Sequence, residues 1–489
     1  MNRTPEQNDI ISTVSGGEDL AVQAYAGTGK TSTIESAASD GRSSLYLTFT
    51  RDAMNDAKAR MPATCEARTF NSLAYRMENV GRVYGEVATS IRLPAIKLAS
   101  MLKLDVPEQE IPGVVTAVKM TLKRFMQSDA RQIKPYHVPY IATSKMGNSQ
   151  KEQRVELLMG GATRLWGMVI DPKFRAIGIL HEAYLKLWQL HGAQLPFIPE
   201  VVFLDEAQDL NEVNIAIVQS WMSKAQLVVV GDDNQAIFMW RGAQNALKKI
   251  SIGMRKHLTQ SFRFGPEVAE VGTHIIRCLR NESIPALVGS DHHDTKVLYD
   301  GRPTGRHTIL CRTNMGLMEE TLQVIQDGKS VCVVGKLDEA IKLLESAWYL
   351  SQGQNDRVTH PDIAMAGDWE GLEEASKDDP ELGLAVRRVK EYGGRIPRII
   401  RELKLGVCTD ERDAEITIST AHKAKGREWD VVRLAGDFND PFMYNKKTQK
   451  WEACEEERNL LYVAATRARK AMYANQAVMS TVAMSKAAA

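Results

Sequence analysis

This chain of 489 residues has almost no net charge: 62 Lys and Arg stand against 61 Asp and Glu, leaving +1. That balance is unlike a small module that holds polyanions by its overall charge. A larger protein can still gather positive charge along one groove. Cysteine is scarce, with six at 65, 278, 311, 332, 408 and 454 and no Cys-x-x-Cys spacing. This excludes the usual zinc and iron–sulfur frameworks, and single scattered cysteines suit a reducing compartment. No apolar run approaches the roughly 20 residues of a membrane span, and the N-terminus lacks a signal-peptide apolar segment. The expected location is cytoplasmic (nuclear in a eukaryote, host cytoplasm for a phage protein). The rest of the composition, 44% hydrophobic and 25% charged, is ordinary for a globular protein. Length alone suggests roughly two to four domains.

The most informative stretch is Ala24-Tyr25-Ala26-Gly27-Thr28-Gly29-Lys30-Thr31-Ser32. It follows the apolar run Leu20, Ala21, Val22 and precedes a helical pattern, so it reads as strand, glycine loop and helix. Glycines let backbone N–H groups close around phosphate oxygens, and the helix start adds its positive dipole end. In such a loop Lys30 neutralises β and γ phosphates, and the Thr31 hydroxyl is a ligand for Mg²⁺. Ala24 departs from the strict pattern, which has glycine first. The expected ligands are ATP and Mg²⁺.

Two further apolar runs end in polar clusters. Val201 to Leu204 leads into Asp205-Glu206-Ala207-Gln208-Asp209, and Leu227 to Val230 into Gly231-Asp232-Asp233-Asn234-Gln235. An acidic pair at a strand's carboxyl end is what metal and water need: Asp205 to hold Mg²⁺, Glu206 to take a proton from the attacking water. Gln235 is placed to touch the γ-phosphate. A loose phosphoryl-transfer transition state needs more positive charge than Lys30 and one Mg²⁺ supply. Arg263 and Arg467 are the natural further donors, because a guanidinium is always charged and can engage phosphate bidentately.

The order of these motifs resembles that of superfamily 1 DNA helicases of the UvrD/Rep type, with a particular likeness to the helicase core of the F-box DNA helicases. Thr4-Pro5-Glu6-Gln7 is similar to the adenine-reading Q motif. Phe49 to Ala53 resembles motif Ia, and Arg68 to Ala74 the segment after it, with Asn71 where a His is usual. Gly231 to Ala243 resembles motif III, Leu258 to Gly265 motif IV, Thr420 to Trp429 motif V, and Glu457 to Ala468 motif VI. The resemblance runs from residue 4 to about 470. It implies that Gln7 reads adenine, Phe262 stacks on it, and Gly426 and Glu428 lie near the nucleotide. It assigns Arg263 and Arg467 to the γ-phosphate. Phe49, Phe70, Phe238 and Trp240 are the expected contacts to bases, Asn71 and Arg241 further DNA contacts, and Thr48, Thr50, Thr420 and His422 those to backbone phosphates. Phe70 and Phe238 suit interior packing equally well, as does His422 as a buried, hydrogen-bonded ring.

The expected fold is α/β: two RecA-like P-loop motor domains, parallel sheets with flanking helices, each carrying an inserted, mainly helical subdomain. Residues 1–77 and 196–250 form motor domain 1A, 78–195 subdomain 1B, 251–346 and 413–489 motor domain 2A, and 347–412 a short 2B-like insertion. Within 1B, 143–154 reads as a polar connector, and Lys119, Lys123 and Arg124 mark either a duplex contact or a solvated face. The resemblance implies an ATP-dependent helicase or translocase moving 3′ to 5′ on single-stranded DNA at single-strand/duplex junctions. Its setting would be replication, recombination or repair, with a single-strand-binding or replisome protein as a partner. No F-box segment precedes the motifs, so the ubiquitin-ligase role of the F-box relatives is not expected. Two other readings stay open: a translocase that mainly strips proteins such as recombinase filaments, and a nucleotide-gated binding module without turnover. The second sits poorly with the presence of Glu206, Arg263 and Arg467.

Overall fold

The computed structural model describes residues 3–487 apart from 144–145, 175, 196, 240–241, 281–283, 336, 378 and 446–447. Two large sheets organise the described residues. The first begins with β1 (Leu20–Ala24), β2 (Ser44–Thr48) and β3 (Cys65–Thr69). After a helical excursion containing the two-residue strands β4 (Val87–Ala88) and β5 (Ile179–Leu180), it resumes with β6 (Val201–Leu204), β7 (Gln226–Gly231) and β8 (Met254–Leu258). Its order is β3-β2-β6-β7-β1-β8, with every pairing parallel.

Side chains alternate faces along a strand, and a parallel sheet covered on both sides buries both sets. Leu45 and Leu47, Val202 and Leu204, Leu227 and Val229 join the core shared with the helical excursion. Their neighbours Tyr46, Val201, Phe203, Val228 and Val230 enter a second core on the opposite face. This is why the strands read as unbroken apolar runs.

The second sheet uses β9 (Lys296–Leu298), β10 (His307–Cys311), β11 (Val331–Val333), β12 (Val407–Cys408), β13 (Ile416–Thr420) and β14 (Trp429–Leu434). An antiparallel ribbon of β15 (Phe442–Asn445) and β16 (Lys450–Ala453) follows, and β17 (Ala468–Tyr473) completes the sheet. Its order is β12-β11-β13-β10-β14-β17-β9, again parallel throughout. Ile309, Ile416 and Ile418 face one core, and Leu310, Val432 and Leu434 the other. The mostly parallel, helix-flanked α/β architecture therefore agrees with the sequence reading. One boundary moves: β8, read as part of the second half, pairs with β1 in the first sheet, register Leu20 to Met254.

The excursion after β3 packs the helices Ile111–Gln127, Asn148–Ile170 and His181–Leu190 around Val118, Leu122, Phe125, Leu158, Leu165 and Trp188. Residues 148–154, read as connector, are the first two turns of a 23-residue helix. Those turns are polar because they are mostly exposed, and the apolar stripe starts only around Val155 and Leu158. The basic residues are largely spent internally: Lys119 Nζ donates to the Ile91 carbonyl (3.2 Å), and Arg124 Nη1 to that of Val138 (3.2 Å). Among the described residues, no helix is long and apolar enough to cross a membrane.

Candidate nucleotide site and its neighbours

Consecutive parallel strands deliver their carboxyl ends to one edge, and the sequence motifs gather there. Gly27 and Gly29 carry φ of 76° and 75°, the left-handed region in which a Cβ would clash. A side chain at Gly27 would also strike Ser261 and Arg263, and one at Gly29 would meet Gln7 and the Phe262 ring. Gln7 and Phe262 thus both lie against the loop at Gly29. The Phe262 amide donates to the Gly27 carbonyl (2.8 Å), and Gln7 is fixed by a capping box with Thr4.

Lys30 opens the helix Lys30–Ala37, and its Nζ lies 3.1 Å from Glu206. Burial would lower the Lys30 pKa, but Glu206, Asp205 and Asp232 together hold it above its ordinary value. Burial likewise works against an ionised Glu206, yet Lys30 and then Lys425 keep this carboxyl well below the usual range. Asp205 moves the other way, raised by burial and by the Glu206 charge. Its Oδ2 accepts from the Tyr46 hydroxyl (2.6 Å), and its Oδ1 from the Glu206 amide (2.8 Å). Glu206 adopts φ 53°, a left-handed conformation that an ordinary residue takes at some cost. In this conformation its carboxylate meets Lys30.

From Glu206 a buried relay runs to Gln235. The Gln208 amide donates to Glu206, and Gln208 Oε1 accepts from the Asp232 amide (2.9 Å). Asp232 in turn accepts from Gln23 (2.9 Å) and Gln235 (2.7 Å). Gln208 and Gln23 were not singled out from the sequence. Buried amides among carboxylates are the only hint the residue types offered.

The second half supplies the arginines. Arg263 Nε donates to Glu428 (2.8 Å), and its Nη1 to the Thr466 carbonyl (3.3 Å). Arg467 is fully buried, donating to the carbonyls of Val463 (2.8 Å) and Arg427 (3.3 Å) and to the Thr466 hydroxyl (3.0 Å). Burial, and next the Arg263 charge, push Arg467 down to about 9. Both guanidiniums bond to Thr466, one at its carbonyl and one at its hydroxyl. The loop of Arg263 is mounted on bare backbone, since a Cβ on Gly289 would overlap Gly265, and one on Gly265 the His293 carbonyl.

Three contacts that the sequence did not reveal tie the halves together. The Ala26 amide donates to the Tyr462 hydroxyl (3.1 Å), and the Tyr25 hydroxyl to the Pro285 carbonyl (2.9 Å). Lys425 Nζ, beside Gly426, donates to both Asp209 oxygens (2.7 and 2.6 Å) and to the Gln235 carbonyl (2.8 Å). Both members of the Lys425–Asp209 pair are about nine-tenths buried. Lys425→Ala should therefore cost about 3–5 kcal/mol, because Asp209 is left buried without its partner. Urea denaturation will read this, and adding Asp209→Asn should recover part of the loss.

The proposed DNA contacts divide. Phe49 stands 53% exposed, and Thr50 caps the helix Arg51–Arg60 through the Ala53 amide. Phe238 and His422 are half-buried with ring centroids 6.0 Å apart. Phe70, by contrast, is 2% exposed and belongs to the core with Leu73 and Ala74. It points inward because it opens the helix Phe70–Met77 on that helix's apolar face, so its expectation as a base-stacking surface is corrected. Thr48 is likewise fully buried, at the end of an all-buried strand, and Thr420 is buried with its hydroxyl accepting from the Lys423 amide. Asn71 is half-buried. Ser32 is exposed, and its hydroxyl accepts from Arg60 (3.0 Å) rather than facing the glycine loop. Trp240 and Arg241 lie outside the described residues. The ribbon of β15 and β16, missed in the sequence, exposes Met443, Tyr444 and Trp451. Trp451 packs edge-on against Phe442 and Tyr444 (centroids 5.5 Å apart in each case).

A glycine loop between a parallel strand and a helix, faced by an acidic strand end, defines the class: a P-loop nucleotide-binding protein of α/β architecture. Two family models match the chain, the UvrD/REP helicase N-terminal domain at residues 192–249 and the UvrD-like helicase C-terminal domain at 380–477. Among curated relatives, F-box DNA helicase 1 of Gallus gallus is 29% identical, covering 98% of this chain and 50% of that protein. F-box DNA helicase protein 1 of Schizosaccharomyces pombe is also 29% identical, over 98% of this chain and 58% of the relative. The ATP-dependent DNA helicase PcrA of Bacillus subtilis is 40% identical over a short stretch, 14% of this chain and 9% of PcrA. The chain belongs to the UvrD/Rep-like family of superfamily 1 helicases. It spans 50% and 58% of the length of the two F-box relatives.

Proposed function

We propose that this protein is an ATP-dependent motor that moves along single-stranded DNA, 3′ to 5′, and separates duplex at junctions. The observation that carries the reading is a convergence at one cleft. Lys30, Glu206 and Gln235 come from loops of the first sheet, and Arg263 and Arg467 from segments packed on the second.

In this reading residues 1–77 and 196–258 form the first motor domain, and 78–195 its helical insertion. Residues 259–346 and 413–489 form the second motor domain, and 347–412 its short insertion. The triphosphate of ATP lies in the cradle from Ala26 to Ser32, and Gln7 and Phe262 hold adenine, with Gly426 and Glu428 on the far side of the cleft. The donor set suits Mg²⁺: Thr31 and Asp205 would hold it, and among the described residues no cluster of three or more carboxylate, His or Cys ligands exists. Mg²⁺ keeps water and substrate phosphates as most of its ligands. When bound, Mg²⁺ neutralises charge on the β and γ oxygens.

Glu206, kept ionised by Lys30, accepts the proton of the attacking water. Arg263 and Arg467 meet the charge that develops on the γ-phosphate, so hydrolysis loosens what holds the halves together. The relay from Glu206 through Gln208 and Asp232 to Gln235, with Lys425 on the Gln235 carbonyl, links that event to Phe238 and His422.

The deciding experiment is ATP hydrolysis with and without single-stranded DNA. Strong stimulation is expected; slow hydrolysis indifferent to DNA sinks the motor reading. On the strand side, Phe49→Ala should weaken oligonucleotide binding by about 1–3 kcal/mol, the worth of one base–aromatic stack. Fluorescence anisotropy checks this, and an unchanged affinity removes Phe49 from the path.

A further inference from the structure

At the foot of the exposed ribbon, three cations crowd one carboxylate. Lys248 follows the β7 loop on the short helix Ala246–Lys249, and Arg280 follows the helix Pro266–Arg277. Arg458 and Glu455 lie in the first turn of the helix Glu455–Ala465. Glu455 lies 2.6 Å from Lys248 and 3.8 Å from both Arg280 and Arg458. Only Lys248 is at hydrogen-bonding distance. We propose that Lys248, Arg280 and Arg458 form a seat for one backbone phosphate of a single nucleic-acid strand, with Glu455 as its resident competitor. The inference rests on the strand-binding reading of the preceding subsection and adds a site to it.

Four observations support the seat. Arg458 is 4% exposed, and its Nε is buried with no hydrogen-bond partner, whereas buried guanidinium donors normally find acceptors. Burial, and next the charge of Arg280, push Arg458 down to about 10. A phosphate offers more acceptor sites than a carboxylate held at 3.8 Å and suits guanidinium donors. The seat is open on one side: side-chain exposure runs from 49% at Lys248 and 42% at Glu455 to 20% at Arg280 and 5% at Arg458.

The surroundings suit a strand. Ala453 ends β16 two residues before Glu455, so the ribbon that exposes Tyr444 and Trp451 leads directly into the helix carrying the seat. Arg280 also donates to Asn234 (3.2 Å), and Asn459, next to Arg458, donates to the carbonyls of Asp233 (3.1 Å) and Ala236 (3.0 Å). Lys248 comes from the first half and the arginines from the second, so a phosphate seated here is gripped from both sides of the cleft. It lies against the loop that carries Gln235.

The test is binding of a labelled oligo-dT by anisotropy across a salt series, for wild type, Glu455→Gln and Lys248→Ala/Arg280→Ala. Arg458 is left intact because it is buried. Removing the competing carboxylate should tighten binding about three- to tenfold. The double variant should bind more weakly, and its slope of log affinity against log salt should be shallower by about 0.7, one single-strand phosphate contact. Should the double variant melt early, Lys248→Ala alone, at the exposed rim, carries the same slope test. Unchanged affinity in Glu455→Gln together with an unchanged slope overturns the seat and leaves the motor standing. No binding by wild type at any salt overturns both. Inorganic phosphate at constant ionic strength should displace oligo-dT from wild type more readily than from the double variant. Phosphate binding that is lost in the double variant while its oligo-dT affinity and salt slope match wild type assigns the seat to free phosphate and overturns its assignment to nucleic acid.

Discussion

Glu206→Gln should lower ATP turnover by about 10²- to 10⁴-fold, the usual contribution of a positioned general base, while nucleotide affinity stays within a few-fold. The amide has the shape of the carboxylate and can still meet Gln208, but it cannot take a proton. The rest of the pocket survives the change. Asp205 keeps its bonds from Tyr46 and the residue 206 amide, and Lys30 retains Asp205 and Asp232 as counter-charges. Phosphate release at saturating single-stranded DNA measures turnover, and a fluorescent ATP analogue measures binding. Turnover above a tenth of wild type would remove Glu206 as the base. Asp209 does not replace it easily, because Lys425 already occupies both of its oxygens.

Arg263→Ala should be nearly as severe, with turnover falling about 10³-fold or more, as when an arginine that meets γ-phosphate charge is lost. The fold should tolerate the change. Arg263 is only partly buried, and Glu428 keeps Arg469 at 3.6 Å. An unchanged melting temperature, near-normal ATP binding and collapsed turnover would together mark an interaction made in the transition state. A loss below tenfold would sink that role. Arg467 needs a different variant: alanine there would strip donors from the carbonyls of Val463 and Arg427, mixing stability with catalysis. Arg467→Lys keeps the charge but cannot reach the same set of acceptors, so its loss should be read against a measured melting temperature.

The sequence was most legible where conformation is written in residue type. Gly27 and Gly29 take backbone angles that few other residues accept, and unbroken apolar runs mark strands buried on two faces. Acidic and amide residues placed directly after such runs had to reach the carboxyl edge. What stayed hidden depended on partners distant in the chain. The Ala26–Tyr462 bond joins residues 436 positions apart, and the Lys425–Asp209 pair spans 216. No local pattern announces either. An aromatic after a strand is ambiguous until its helix is placed, which is why Phe49 is exposed and Phe70 buried. The ribbon of β15 and β16 escaped notice because a solvated hairpin has no buried face to impose alternation.

The backbone mounting of Arg263 has an evolutionary side. Gly265 and Gly289 meet main chain to main chain, with no room for a methyl group at either. Rotamer adjustment, the usual route by which neighbours absorb a substitution, is closed here, because the obstructing atoms are peptide atoms. Drift can alter the side chains around the arginine, but it cannot pass through these two positions without displacing the loop. A descendant could therefore retain the arginine and still lose its placement, so this glycine pair constrains the loop as tightly as the arginine it carries.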